Sequence, residues 1–211
     1  IIETARQYQG ELVLATIGPE TNLALAIKRE PRLRQWIREI TIMGGSTTTG
    51  NFSPAAEFNI AADIEAASVV FESGIPFRMV GYNITRQTGF DIHDIERLRK
   101  AGTQACIAIA DLMQFYLNRQ NDMYGLTIAP MHDVCAIIPY VRPDLIEFLH
   151  TSARIELTGT YTRGMTVCDV RHPKGSIEPS LRNRTEPNAY VAVSAKSREL
   201  IDIVIETLLT Y

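Results

Sequence analysis

The run "ELVLATIGPETNLALAIKREPRLRQWIREITIMGG" (11–45) decides the fold. Its first seven residues, "ELVLATI" (11–17), are almost continuously apolar, the pattern of a strand buried on both faces. "GPETN" (18–22) is a turn. "LALAIK" (23–28) opens a helix that Pro31 ends, because the residue before a proline is pushed out of the helical region. Leu33, Trp36, Ile37 and Ile40 then recur at i, i+3, i+4 and i+7, which predicts a one-faced helix. "ITIM" (40–43) follows as a second buried strand and runs into "GGSTTTGN" (44–51).

The neighbouring segments continue the alternation. Residues 1–8 read as the end of a helix stopped near Gly10. Asp63 caps a helix through Phe71, with Ile64, Ala67, Val70 and Phe71 facing inward and Gly74 closing it. "PFRMV" (76–80) is a third strand. Strand, helix, strand, helix, strand at these spacings predicts an α/β fold with an open, mainly parallel sheet flanked by helices. Beyond Gly81 the chain turns helical, over 92–101 and 103–118 and again from Asp133. "RIELTGTYTRGMTVCDV" (154–170) alternates around two glycines and predicts an antiparallel ribbon. "AYVAVS" (189–194) is a late strand, and a last helix carries Leu200, Val204 and Leu208 on one face. No internal repeat or linker divides the chain, so residues 1–211 read as a single domain.

Composition narrows the function classes. Of 211 residues 45% are apolar and 21% charged, which excludes a disordered chain. A net charge of −3 gives no electrostatic footprint for nucleic acid or for an anionic membrane. No apolar run reaches the length of a membrane span. Three widely spaced cysteines suit a reducing compartment and predict a cytoplasmic protein, not a disulfide framework or a zinc site.

In open parallel sheets ligands bind beyond the carboxyl ends of the strands. Those ends are Ile17-Gly18, Met43-Gly44-Gly45 and Gly81-Tyr82-Asn83. The loop 44–51 fails as a phosphate cradle. Gly45 and Gly50 have P-loop spacing, but Asn51 stands where the lysine is needed and Phe52 where a hydroxyl should hold magnesium. "NFSPAAEFNIAAD" (51–63) is the stronger candidate. If residues 56–60 are extended, Glu57 and Asn59 share one face, and a carboxylate beside an amide suits a vicinal diol. Turn chemistry that satisfies its own backbone fits the same spacing. In "APMHDVCAIIP" (129–139), His132 and Asp133 open an apolar helix, so Asp133 is either a cap or a ligand. His93, His150 and His172 show no partner pattern.

Taken in order, "ATIGPETNLALAI", "ITIMGGSTTTGNFSPAAEFNIAADIEAA", "MVGYNITRQ", "MHDVCAI" and "IELTGTYTRGMTVCDV" resemble the inosine–uridine-preferring nucleoside hydrolases over essentially the whole chain. The resemblance implies a Rossmann-like core. It also implies hydrolysis of the N-glycosidic bond of ribonucleosides to ribose and free base, in purine or pyrimidine salvage. Asn51, Glu57 and Asn59 would bind the ribose hydroxyls, Met43 and Phe58 would line the sugar pocket, and His132 would assist departure of the base. Asp133 and the backbone carbonyl of Ile17 would ligate a calcium ion. The family typically forms homodimers or homotetramers.

Three departures accompany the likeness. The aspartate cluster DxDxxxDD, which in the family supplies most metal ligands and the general base, occurs nowhere in the 211 residues. The chain also opens without Met, inside a helix pattern, so the expectation is that the first strand–helix units are missing and that the chain alone is inactive. Asn83 stands where the family usually has Asp, and Arg86 where it often has His. These two bear on base preference, not on reaction class. A non-catalytic ribose- or nucleoside-binding module, or pseudoenzyme, is the alternative reading.

Overall fold

The computed structural model describes residues 1–171 and 186–211, so His172 lies outside the described residues. The chain opens with α1 (Ile2–Gln7), β1 (Leu12–Thr16), α2 (Thr21–Arg29), the single turn α3 (Leu33–Trp36) and β2 (Ile37–Met43). Next come α4 (Phe58–Ala62), α5 (Ile64–Phe71), β3 (Phe77–Val80), α6 (Tyr82–Thr85) and β4 (Gly89–Phe90). The helices α7 (Ile92–Ala101) and α8 (Gln104–Tyr124) lead to β5 (Ala129–Pro130) and α9 (Val134–Val141). The strands β6 (Ile146–Thr151), β7 (Ala153–Ile155), β8 (Thr166–Cys168) and β9 (Ala189–Ala195) precede α10 (Ser197–Leu208).

These elements form two compact units, one of residues 1–83 and 147–194, the other of residues 84–146 and 195–211. The first unit holds a five-stranded sheet in the order β1-β2-β3-β9-β6. β1, β2, β3 and β9 pair in parallel, with Ile40 opposite Phe77 and Met79 opposite Val191. Ile40, Ile42, Phe77, Met79 and Val191 meet Leu23 of α2 and Ala67, Val70 and Phe71 of α5 in one core. The ribbon β7–β8 is antiparallel, as the alternation predicted.

The second unit is helical. α7 starts with a capping box between Asp91 and Asp94 and ends on Gly102 in the left-handed conformation. It packs Ile95 and Leu98 inward, where Cys106 and Ala110 of α8 and Leu200, Ile201 and Ile205 of α10 are also buried. Arg198 of α10 grips both oxygens of Asp94 at 2.9 Å.

Three sequence expectations change, and one strand is new. The helix predicted through Ile40 stops at Trp36, and β2 begins at Ile37. Ile37 is β-branched and takes its place in the parallel ladder opposite Leu12, so sheet pairing outweighs a periodicity that fits helix and strand alike. β1 is half-buried instead of fully buried, because it ends the described sheet and pairs only with β2. The inner face of α10 is Leu200, Ile201 and Ile205, not Leu200, Val204 and Leu208. β6 was not foreseen: "IEFLHT" carries Glu and His within a short run and lacks a clean period-two signal.

Candidate active site

Loop 44–57 leaves the carboxyl end of β2 and returns to start α4. The extended reading of residues 56–60 does not hold. Glu57 is extended, at φ −83° and ψ 151°, but Phe58 already begins the helix and Glu57 is its cap. The Glu57 carboxylate accepts from the backbone N–H of Asn59 at 3.0 Å and of Ile60 at 3.3 Å, and from Gly45 N–H at 3.0 Å. All three bonds fall on Oε2, which leaves Oε1 to accept from elsewhere. Burial pushes the Glu57 carboxyl up from its ordinary value, and the backbone N–H groups pull it back in part.

The neighbouring predicted residues gather around this cap. Asn59 donates its Nδ2 to the Met43 carbonyl at 2.9 Å and lies 3.3 Å from Met43 Sδ. Asn51 accepts the Phe58 N–H on Oδ1 at 2.8 Å. Phe58 is exposed and meets Phe52 edge to face at 6.2 Å between ring centroids. Met43, Asn51, Glu57, Phe58 and Asn59 therefore form one cluster at the end of β2. The backbone-satisfying and the ligand-binding readings coexist, since Asn51 Nδ2, Glu57 Oε1 and Asn59 Oδ1 are not used in these bonds.

The loop before the cap is held by side chains at four successive N–H groups. Gly45 donates to Glu57, Ser46 to Thr166 Oγ1 at 2.8 Å, Thr47 to Asn83 Oδ1 at 3.2 Å, and Thr48 to Ser46 Oγ at 3.2 Å. Asn83 also donates to the Ala192 carbonyl at 3.1 Å. In this structure Asn83 thus ties the loop to β9. Gly45 sits at φ +70°, and a Cβ there would come within 2.6 Å of Thr166 Oγ1, so only glycine fits.

Ile17 lies just past the end of β1, half-exposed. Three residues on, Glu20 is almost fully buried. Its Oε1 accepts the Thr16 hydroxyl at 2.6 Å, and its Oε2 has no partner among the described residues. Burial lifts this carboxyl to about 7. The sequence reading passed over Glu20, because a Glu after Gly-Pro looks like turn surface. Asp63 caps α5 through the Ala66 N–H at 3.1 Å, as predicted, and accepts the Thr21 hydroxyl at 2.5 Å.

His132 and Asp133 belong to the second unit. His132 is half-buried, with Nδ1 2.8 Å from Thr85 Oγ1 and Nε2 3.4 Å from the Tyr116 hydroxyl. Sequence reading missed both partners, which lie 47 and 16 residues away. Desolvation pushes the imidazole below its ordinary value, so it favours the neutral form at pH 7. Asp133 precedes α9 but makes no side-chain cap bond, so the cap reading falls. Partial burial raises its carboxyl. Among the described residues no three His, Cys, Asp or Glu side chains come together as a metal cluster. No helix among the described residues is long and apolar enough to cross a membrane.

Comparison with known proteins bears on the family and the fold. The family model for inosine-uridine preferring nucleoside hydrolase matches residues 1–202. The pyrimidine-specific ribonucleoside hydrolase RihA of Escherichia coli O1:K1 / APEC is 36% identical over 210 residues, 99% of this chain and 65% of that protein. RihA of Citrobacter koseri is 37% identical, over 99% of this chain and 64% of its own length. Among solved structures, the purine-preferring ribonucleoside hydrolase from Gardnerella vaginalis superposes with a TM-score of 0.87 at 29% identity, over 99% of this chain and 64% of that one. The plant nucleoside hydrolase PpNRh1 gives 0.86 at 27% identity, over 100% of this chain and 65% of that one. The chain thus spans about 65% of the length of the curated relatives it matches. It belongs to the inosine-uridine preferring nucleoside hydrolase family.

Proposed function

We propose that this chain carries the ribose-binding part of a ribonucleoside hydrolase, an enzyme that splits the N-glycosidic bond with water to give ribose and free base. The observation that supports this is the cluster at the end of β2. A buried Glu57, fixed by three N–H donors, stands beside Asn51 and Asn59, each with one polar atom left for a ligand. A carboxylate and two amides offer acceptors and donors to a vicinal diol. The transition state resembles an oxocarbenium ion, so hydroxyl contacts that strengthen as charge develops accelerate the reaction. His132 is assigned to the departing base. As a neutral imidazole with a Thr85 and a Tyr116 hydroxyl at its two nitrogens, it can donate or relay one proton but holds no stored positive charge at pH 7.

Calcium is the cofactor the family resemblance implies. Asp133 and the backbone carbonyl of Ile17 are the oxygen donors that the resemblance assigns to it, and no three His, Cys, Asp or Glu side chains gather among the described residues. Relatives do not decide the base, since RihA is named pyrimidine-specific and the Gardnerella enzyme purine-preferring. The test is release of ribose from uridine, cytidine and inosine by a protein containing this chain, with and without EDTA. Hydrolysis of none of them would sink the reading.

A second reading rests on the absence of the DxDxxxDD pattern from the 211 residues. The 211-residue chain alone is a ribose binder with little or no turnover. Calcium-dependent hydrolysis at the rate of a complete enzyme by this chain would refute it.

A further inference from the structure

The geometry assigns Thr166 as a positioning residue for the Glu57 carboxylate, and so for ribose binding. The inference rests on the ribose-clamp reading above and names a residue from the β7–β8 ribbon, a segment to which that reading gives no role.

Thr166 is almost fully buried, at the start of β8. Its Oγ1 accepts the Ser46 N–H at 2.8 Å, across 120 residues of chain. Its side chain also packs against the face of Gly45 that lacks a Cβ, where a methyl would meet Oγ1 at 2.6 Å and Cγ2 at 2.8 Å. The peptide between Gly45 and Ser46 is thereby held from one side. The other side is held by the Gly45 carbonyl, which accepts the Tyr82 N–H at 2.8 Å. The Gly45 N–H belongs to the preceding Gly44–Gly45 peptide; with the Gly45 carbonyl and the Ser46 N–H anchored beyond it and Thr166 packed on Gly45 itself, the Gly45 Cα is held in place and its N–H donates to Glu57 Oε2 at 3.0 Å. The other two donors to Oε2, from Asn59 and Ile60, belong to the helix that Glu57 itself caps. Gly45 is the only one of the three donors that comes from outside α4. It therefore fixes the rotation of the carboxylate about its own helix start and decides where Oε1 points.

Removing the Thr166 hydroxyl leaves the Ser46 N–H buried and unpaired, and the loop relaxes to find another acceptor. Glu57 keeps its two cap bonds, so the helix survives while the orientation of Oε1 loosens. The Gly45 N–H is also one of the donors that hold the Glu57 carboxyl down against the effect of burial. Its loss moves the acid limb of ribose binding to higher pH. A defect in packing alone would weaken binding without moving that limb.

The experiment compares Thr166→Val, which keeps the shape, with Thr166→Ser, which keeps the hydroxyl. Ribose affinity is read by calorimetry from pH 4 to 8, and exchange of the Gly45 and Ser46 amide protons by NMR. The expected result is about tenfold weaker ribose binding by Thr166→Val, with the acid limb shifted up and faster exchange at both amides. Thr166→Ser is expected to recover most of each. Wild-type affinity and exchange in Thr166→Val, or equal damage in Thr166→Ser, overturns the assignment. If Thr166→Val does not fold, Thr166→Ala takes its place against the same serine control. If wild-type chain binds no ribose, the clamp reading fails, and the amide exchange alone decides whether Thr166 positions Gly45.

Discussion

At the scale of single residues, Glu57 serves two purposes with one side chain. Oε2 closes the first turn of α4 and anchors the Gly45 loop, while Oε1 remains for a ligand. Glu57→Ala strips the acceptor from three N–H groups at once. A lost cap costs about 1 kcal/mol and a buried N–H left unpaired about 1–3. The expected destabilisation is about 2–4 kcal/mol, read from urea unfolding, together with loss of ribose binding. Glu57→Gln keeps one oxygen for the cap and is expected to cost less than half as much stability while still losing most of the ribose affinity. An unchanged midpoint for Glu57→Ala would show that the three bonds carry no net stability. Part of this arrangement was legible in the sequence. Glu57 and Asn59 stand out as a pair by their spacing, but residues 56–60 read as extended, and the cap that Glu57 makes on α4 comes from the structure. What spacing could not give was the identity of the third donor, because Gly45 reaches Glu57 only through the return of the loop.

At the scale of elements, the parallel core was legible because three apolar runs separated by helical patterns leave few topologies. The misreadings came where two forces compete. Ile37 satisfied a helical stripe and a strand equally, and the ladder with β1 decided it. The turn from β1 into α2 hides a further property that no pattern signalled. Glu20 closes it by accepting from Thr16, buried and with one oxygen unpaired. Its carboxyl titrates at about 7 in the folded chain against an ordinary 4.5. A raised carboxyl means that the folded state binds the proton more tightly than the unfolded one. The resulting stability is complete below pH 4.5 and is lost as pH rises through 7. A displacement of this size corresponds to about 3 kcal/mol. Glu20→Gln keeps an acceptor for Thr16 and cannot ionise. It is expected to remove this fall, so that the variant gains on the wild type between pH 5 and 8 by up to about that amount. Parallel pH profiles for the two proteins in urea unfolding would place the titration elsewhere.

At the scale of the whole molecule, the proposed ribose clamp has more of its parts among the described residues than the proposed metal site. The acid, the two amides and their supporting loop all lie in the first unit and are tied by hydrogen bonds to one another. The metal-binding expectation has Asp133, which caps nothing, and one backbone carbonyl at Ile17. This asymmetry predicts a separation of binding from turnover. The hydroxyl recognition proposed for Glu57, Asn51 and Asn59 needs no cation, so it predicts a ribose affinity that is the same with calcium and with EDTA to within about twofold. Turnover is different, because the attacking water has to lose a proton, and Asp133, the one side chain assigned to a calcium ion, would by itself hold such an ion only weakly. Calorimetry with ribose, beside a ribose-release assay on uridine and inosine, measures the two quantities on the same preparation. Binding without turnover is the expected pair of results. Ribose affinity that disappears in EDTA would mean that the ion, and not the Glu57 cluster, holds the diol in this chain.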